Sequence, residues 1–458
     1  MFRTLANAWK IPDLKKKLLF TAIILLIYRI GAVLPLPFID GGVLQDVYAQ
    51  TAGQAFGFMN ILSGEAFQYA TLFALGVSPY ITASIIIQLL TVAFPALERL
   101  AKRGEEGKEK IAQITRYATV VLSIITGIGY YMLLAKRYGA IREGFNTGSN
   151  WVFFAIVIVA CLCAGSSVVM WLAEKINEKG IGNGISLILF ANIVSRLPVS
   201  GANYVSSIIS GFKSVRTGAT QIGSYIGQVV FIVLYALLIL ALVWFVIFIT
   251  DSERRIPVQY AKKVVGRKMY GGQNSNLPIK LNMTGVMPVI FASTILSIPT
   301  TIALFKEPTT PFWTAVYNQL NPQSTVAWTY AILQFLLIIA FAYFYTAISF
   351  NPIEVSGNLQ KNGGAIPGIR PGKNTSDFIA KVLSRVTFLG AMFLSVICVL
   401  PLLVQLILSL TPIGGYTEAI KNIAFGGTSI MIVVGVILET VREIEAQMTM
   451  RHYKGFFE

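Results

Sequence analysis

The sequence predicts an all-α membrane protein: ten transmembrane helices in two inverted, pseudosymmetric five-helix halves, with one short re-entrant half-helix. Three observations predict it. The 458 residues are 55% hydrophobic and 13% charged, with mean hydropathy +0.67, whereas about a quarter of a soluble domain is charged. Apolar residues fall in long continuous runs, unlike the short alternating segments of a β-barrel. The 37 Lys and Arg, against 21 Asp and Glu, gather in alternate segments between those runs, as cytoplasmic loops do.

Runs able to span a bilayer, which takes about 20 apolar residues, occur at Leu18 to Leu36, Gly76 to Pro95, Ile114 to Ala135, Trp151 to Ala173 and Gly184 to Leu197. They continue at Gly227 to Thr250, Gly285 to Phe305, Ala327 to Phe350, Val386 to Leu410 and Gly427 to Val441. The first follows a charged stretch as a secretory signal would, but it lacks a small-residue cleavage site and reads as a span. Arg29 lies about 17 Å into that run at 1.5 Å per residue, so it faces the bundle interior or snorkels.

From Phe56 to Pro95 the chain is almost wholly apolar yet broken twice, at Ser63-Gly64-Glu65 and at Gly76, Ser78 and Pro79. That pattern reads as a half-helix followed by a full span. Irregular backbone at membrane depth survives where it is buried in protein or lines a cavity, and such a broken element points to a transport path.

With the N-terminus inside, the inner segments hold five cations before Leu18, six from Arg99 to Arg116, Lys175 and Lys179, seven from Arg254 to Lys280, five from Lys361 to Arg385, and Arg442, Arg451 and Lys454. Both ends are therefore expected in the cytoplasm. Ten spans divide five and five, and an odd count per half gives the halves opposite orientation, which permits an inverted repeat. The interruptions near Pro79 and near Met287-Pro288 then correspond.

The longest inner loop, about 251–283, carries Arg254, Arg255, Lys262, Lys263, Arg267 and Lys268. Its alternation at Ile256, Val258 and Tyr260 predicts a short strand projecting from the membrane. Such a basic arm serves topology and attraction to anionic lipids, or docks an acidic or nucleic-acid-bearing partner. A second inner loop, about 351–380, holds Arg370 between the turn-forming flanks Gly368-Ile369 and Pro371-Gly372, which present one cation on a fixed tip. Gly180-Ile-Gly-Asn-Gly-Ile-Ser186 opens the fifth run with Asn and Ser suited to cap a helix. It matches neither a phosphate-binding loop nor a dinucleotide fingerprint. Cys161, Cys163 and Cys398 sit in apolar runs and the single histidine is His452, so neither a disulfide framework nor a metal site is expected.

Several stretches together closely resemble the SecY family, the channel-forming subunits of the bacterial protein translocase, over nearly the whole chain. They are Phe73-Ala-Leu-Gly76, Pro79-Tyr-Ile through Ala83-Ser-Ile-Ile-Ile-Gln-Leu-Leu90, Gly180 to Ser186, Phe350-Asn-Pro352, Pro367-Gly-Ile-Arg-Pro-Gly372 and Gly426-Gly-Thr-Ser429. The resemblance implies an hourglass of two halves, 1–200 and 201–458, closed outside by a plug and opening sideways between the second and seventh spans. The plug maps from about Gly57 to Tyr69, including Phe58, Met59, Asn60, Ile61, Leu62, Ser63 and Gly64, with Glu65 solvated in the outer funnel. The apolar pore ring maps onto Val77, Ile81, Ile185, Leu189, Ile290 and Ile430, where Val77 and Leu189 replace the family's frequent isoleucine. Gln88, Ser293 and Thr294 supply polar contacts at the lateral gate.

By the same resemblance the two basic loops receive the ribosome or the SecA motor, SecE and SecG pack alongside, and the passengers are signal sequences and unfolded polypeptides in the bacterial plasma membrane. No cofactor and no small-molecule substrate is implied. A ring of branched aliphatic side chains dewets, so it blocks ions when empty and offers a passing chain no sticky site. The rival reading, a secondary transporter, would place ionisable or coordinating groups near the midplane. A membrane-embedded enzyme would need a His, Asp or Ser cluster. The aliphatic constriction and Arg29 argue against the first, and the single histidine, His452 in the tail, argues against the second.

Overall fold

Proline sets where many of the apolar helices begin, because its missing N–H costs nothing in a first helical turn. Pro12, Pro79, Pro95, Pro288, Pro299 and Pro352 each stand at the first or second position of a helix. The computed structural model describes residues 2–44, 60, 62–142, 151–216, 222–260, 263–265, 268–270, 274–305, 310–320, 328–410 and 427–454. Its helices are α1 (Phe2–Trp9), α2 (Pro12–Gly31), α3 (Ser78–Ala93), α4 (Pro95–Ala101), α5 (Glu105–Met132), α6 (Trp151–Lys179), α7 (Gly184–Arg216) and α8 (Ile222–Asp251). Then follow α9 (Met287–Leu296), α10 (Ile298–Ile302), α11 (Pro311–Leu320), α12 (Trp328–Ser349), α13 (Pro352–Lys361), α14 (Lys373–Leu410) and α15 (Gly427–Lys454).

Among the described residues five stretches are long and apolar enough to cross a membrane: Glu105–Lys136, Trp151–Lys179, Ile232–Asp251, Trp328–Lys361 and Lys373–Val404. The pair α3 and α4, bent by 105°, adds a sixth if read as one span. Phe94 makes that bend with an extended backbone, φ −109° and ψ 116°, the conformation a residue before proline prefers. Other expected runs fall short for visible reasons. Lys15, Lys16, Lys17 and Arg29 charge α2, and the run from Gly285 is divided into α9 and α10 at Ser297. The total of ten therefore remains a reading of the sequence. Because α2 starts at Pro12, Arg29 stands in its last turn, and its Nη1 is buried, as expected of a cation facing the bundle interior.

The segments entering α3 and α9 repeat one geometry. Gly76 (φ 54°) and Gly285 (φ 63°) are left-handed, Val77 and Val286 follow as helical caps at φ −85° and −90°, and Pro79 and Pro288 come two residues later. Close approaches repeat as well. A methyl group on Gly165 would lie 2.0 Å from the Leu72 carbonyl oxygen, and one on Gly390 would lie 2.1 Å from that of Leu281. Leu72 precedes Gly76 by the same interval that separates Leu281 from Gly285. Gly165→Ala is expected to cost about 1–3 kcal/mol through overpacking against backbone, read as a lowered unfolding temperature in detergent, with Gly390→Ala behaving alike.

The main apolar core draws on α2, α3, α6, α7, α8, α9, α12, α14 and α15. A second core joins residues 36–44 and 67–75 to α5 and α6 around Tyr130, Ile158 and Leu162. On the cytoplasmic side predicted from charge, strand β1 (Glu253–Tyr260) pairs antiparallel with β4 (Asn274–Lys280), Ile256 opposite Leu277. Between them β2 (Lys263–Val265) and β3 (Lys268–Tyr270) form a hairpin. The strand expected from Ile256 and Val258 is present, with both side chains buried. The sequence reading did not foresee that β5 (Gly364–Ala365), from the second inner loop, pairs with the other edge of β1.

Candidate functional site

Six aliphatic side chains from four helices meet in one apolar cluster. Val77 caps α3 and Ile81 lies one turn into it, Ile185 and Leu189 are one turn apart on α7, Ile290 lies on α9, and Ile430 on α15. Their exposures run from 0% at Leu189 to 9% at Ile185. The spacing of each pair puts both members on one helix face. Close approach permits the meeting: a methyl group on Gly184 would lie 2.0 Å from the Ala173 carbonyl oxygen, and one on Gly427 would lie 2.3 Å from that of Ile397. Asn183 caps α7, its Oδ1 accepting from the backbone N–H of Ile185 at 3.1 Å and of Ser186 at 3.3 Å.

The broken stretch packs against this cluster. Leu62 and Ala66 belong to it, so the segment and the six side chains exclude water together. Among the plug residues expected from sequence, Asn60, Leu62, Ser63 and Gly64 are described, while Phe58, Met59 and Ile61 lie outside the described residues. Asn60, Leu62 and Ser63 are helical, and turns follow to Ala70. Asn60 Nδ2 donates to Gln68 Oε1 at 2.8 Å, and the Gln68 N–H donates to Asn60 Oδ1 at 3.2 Å. Glu65 departs from the expectation that it is solvated. Arg196 on α7 donates from Nε to its Oε1 at 3.2 Å, with side-chain exposures of 19% and 26%. Asn192, one turn earlier and fully buried, donates from Nδ2 to the Leu62 carbonyl at 2.6 Å. The sequence reading missed both α7 residues, which look like ordinary polar positions in an apolar helix.

Helices α3 and α9 pack directly against each other. Gln88 makes a polar contact at this seam, but its partner is Tyr345 of α12, whose hydroxyl donates to Gln88 Oε1 at 2.6 Å. Gln88 Nε2 also donates to Ser84 Oγ at 3.1 Å. Thr294 Oγ1 donates to the Ile290 carbonyl at 2.8 Å, which turns it back onto its own helix. Ser293 Oγ is buried without a hydrogen-bond partner. Tyr345 packs edge-on against Phe291 of α9 at 4.9 Å between ring centroids, so one side chain ties α12 to both helices of the seam.

On the opposite face of β1 from Ile256 and Val258, Arg255 is exposed and donates to Glu253 Oε1 at 2.6 Å; Arg254, at the start of the strand, is exposed as well. Lys263 and Lys268 fall in β2 and β3. Lys262 and Arg267 lie outside the described residues. Arg370 is exposed on a turn held at three points. The Ile369 N–H donates to the Ile366 carbonyl at 3.1 Å, Thr375 Oγ1 to the Arg370 carbonyl at 2.9 Å, and Ser356 Oγ to the Gly372 carbonyl at 2.8 Å.

Comparison with known proteins shows the family and the fold. The profile of the SecY family matches residues 71–441. The protein translocase subunit SecY of Streptomyces coelicolor is 43% identical over 100% of both chains. That of Halalkalibacterium halodurans is 40% identical, again over 100% of both. Among solved structures, one described as a protein-conducting channel superposes with TM-score 0.61 at 18% identity, covering 95% of this chain and 92% of the other. Sec61 in a canine ribosome-channel complex from the endoplasmic reticulum superposes with TM-score 0.58 at 17% identity, over 95% and 92%. The chain therefore belongs to the SecY family of protein translocase subunits and has the fold of a protein-conducting channel.

Proposed function

We propose that this chain conducts unfolded secretory polypeptides across a bacterial plasma membrane and releases transmembrane segments sideways into lipid, with both termini in the cytoplasm. The observation that carries the reading is that Val77, Ile81, Ile185, Leu189, Ile290 and Ile430 all fall in one buried apolar cluster to which Leu62 and Ala66 also belong. In this reading the six form the pore ring, about 57–69 is the plug, and the halves are 1–200 and 201–458. The repeated entry geometry of α3 and α9 supports the inverted relation of those halves.

The seam between α3 and α9 is the lateral gate, with Gln88, Ser293 and Thr294 on its helices and Tyr345 bridging them. An apolar signal sequence leaving the pore for lipid gains about 25 cal/mol per Å² buried, so the wall must part somewhere, and a seam between separately folded segments parts at least cost. The basic loop of Arg254, Arg255, Lys262, Lys263, Arg267 and Lys268, together with the Arg370 tip, receives the ribosome or the SecA motor. SecE and SecG pack alongside, and anionic lipids attract the remaining inner cations.

The test is to stall a secretory chain in the assembled translocase with a photoreactive or thiol-reactive probe, and to place cysteines at 81, 88 and, as a lipid-facing control, 244. Crosslinks are expected at 81 and 88 and not at 244, since Trp244 is 66% exposed on the outside of α8. Equal labelling at 244, or none at 81, would remove the proposed path.

A further inference from the structure

The stretch Asn60 to Ala70 is fastened in two different ways, and the difference suggests which end moves. Its later part is tied into the second core. Phe67 packs on Tyr130 with ring centroids 4.6 Å apart, and the Tyr130 hydroxyl donates to the Phe67 carbonyl at 2.5 Å. The Leu36 N–H donates to the Ala70 carbonyl at 3.0 Å and the Leu72 N–H to the Leu34 carbonyl at 2.8 Å. Its earlier part is tied to α7 through only two polar contacts shown between them, Asn192 to the Leu62 carbonyl and Arg196 to Glu65. Asn192 and Arg196 are one turn apart and so share a face of α7.

Within the part held by α7 the backbone is left-handed twice in succession, at Gly64 (φ 64°) and Glu65 (φ 73°). A non-glycine residue rarely occupies that region, and Glu65 is held there in the company of its ion pair. Gly64 also has no room. A methyl group there would lie 2.7 Å from Asn192 Oδ1 and 2.8 Å from Arg29 Nη1. Both of those atoms are buried, so the approach of Gly64 to α7 and α2 leaves no space for a side chain.

Resting on the plug reading above, we infer that Asn192 and Arg196 are positioning residues for channel gating: they latch the plug shut from α7, and opening must also release the bonds of Asn60 to Gln68 and of Phe67 to Ser63 that close the stretch on itself. Residues on α7 thus set how readily the channel opens, because α7 also carries Ile185 and Leu189 of the proposed ring. A passenger that pushes those two side chains aside shifts the same helix that holds the latch.

The experiment measures resting ion conductance of the complete translocase in planar bilayers. Asn192→Leu keeps the branched four-atom shape of the side chain and removes the donor, leaving the Leu62 carbonyl unpaired. It is expected to raise resting conductance about tenfold. Arg196→Glu is expected to raise it about threefold, less because the ion pair is partly exposed and screened, and the double exchange Glu65→Arg with Arg196→Glu should return it to the wild-type level. A merely structural role for Arg196 would not produce that return. Deletion of 57–69 separates the two readings. If the deletion raises conductance but Asn192→Leu and Arg196→Glu do not, the latch is overturned and the plug stands. If the deletion leaves conductance unchanged, the plug reading falls and the latch with it. Exchange variants that leak as much as Arg196→Glu alone overturn the ion-pair part, provided the complex migrates intact on native gels.

Discussion

Replacing Ile81 and Ile185 together by glycine is expected to raise the resting ion conductance of the reconstituted channel by on the order of tenfold or more, because a dewetted gap blocks ions only while bulky aliphatic side chains narrow it. Ile81 is 2% exposed and Ile185 9%, and they come from different helices, α3 and α7, so removing both opens the cluster from two sides. The change also weakens packing. A matched control is Ile158→Ala, at a fully buried position in the second core, where a loss of about 2–5 kcal/mol is expected from the cavity. That control should lower thermal stability without leak. Equal conductance for the wild type and the double variant would remove the gasket proposal.

Reversing charge at Arg370 is expected to reduce partner-driven export by about 30-fold or more, since setting like charges against each other across an interface costs several kcal/mol. Insertion of the chain itself should be unaffected. The Arg370 turn is held by Ile366, Ser356 and Thr375, and those contacts use backbone atoms of the turn that Arg370→Glu leaves in place. Among the described residues no ion pair holds the guanidinium, so reversal breaks no salt bridge within the fold. Export in inverted vesicles supplied with the motor, compared with variant abundance in the membrane, reads the effect. Export at the wild-type rate would sink the docking role.

Much of the helical framework was legible because proline and glycine mark it locally. The pattern Gly-Val-x-Pro before both Ile81 and Ile290 can be seen in the letters, and the structure gives it one backbone geometry in both places. Five of the six proposed ring residues lie within or beside the motifs that carry the resemblance, and Ile290 follows from the repeated Gly-Val-x-Pro pattern. What stayed hidden were pairings across long separations. Gln88 and Tyr345 lie 257 positions apart, and no local spacing announces that a tyrosine on α12, rather than Ser293 or Thr294, answers the glutamine. Asn192 and Arg196 were passed over for a related reason. A polar side chain in an apolar helix has many possible partners, and only the return of the broken stretch selects Leu62 and Glu65. The expectation of a solvated Glu65 erred because it weighed the charge of that residue without the cation that α7 brings to it.

The two inner loops looked separate in sequence, one rich in cations and the other in turns. A two-residue strand is too short to announce itself by alternation, yet Gly364 and Ala365 bond to the edge of β1, and Ile366 joins Ile256, Val258 and Ile279 in one small core with Ile379 and Leu383 of α14. Mechanically the loops are therefore a single handle. A thrust on the Arg370 tip is shared with β1 and β4 and enters the bilayer through the roots of α8, α9 and α14, all built from residues after 221. On the proposed docking, a load applied there would act on one side of the molecule, as torque about the seam instead of as a uniform push along the pore.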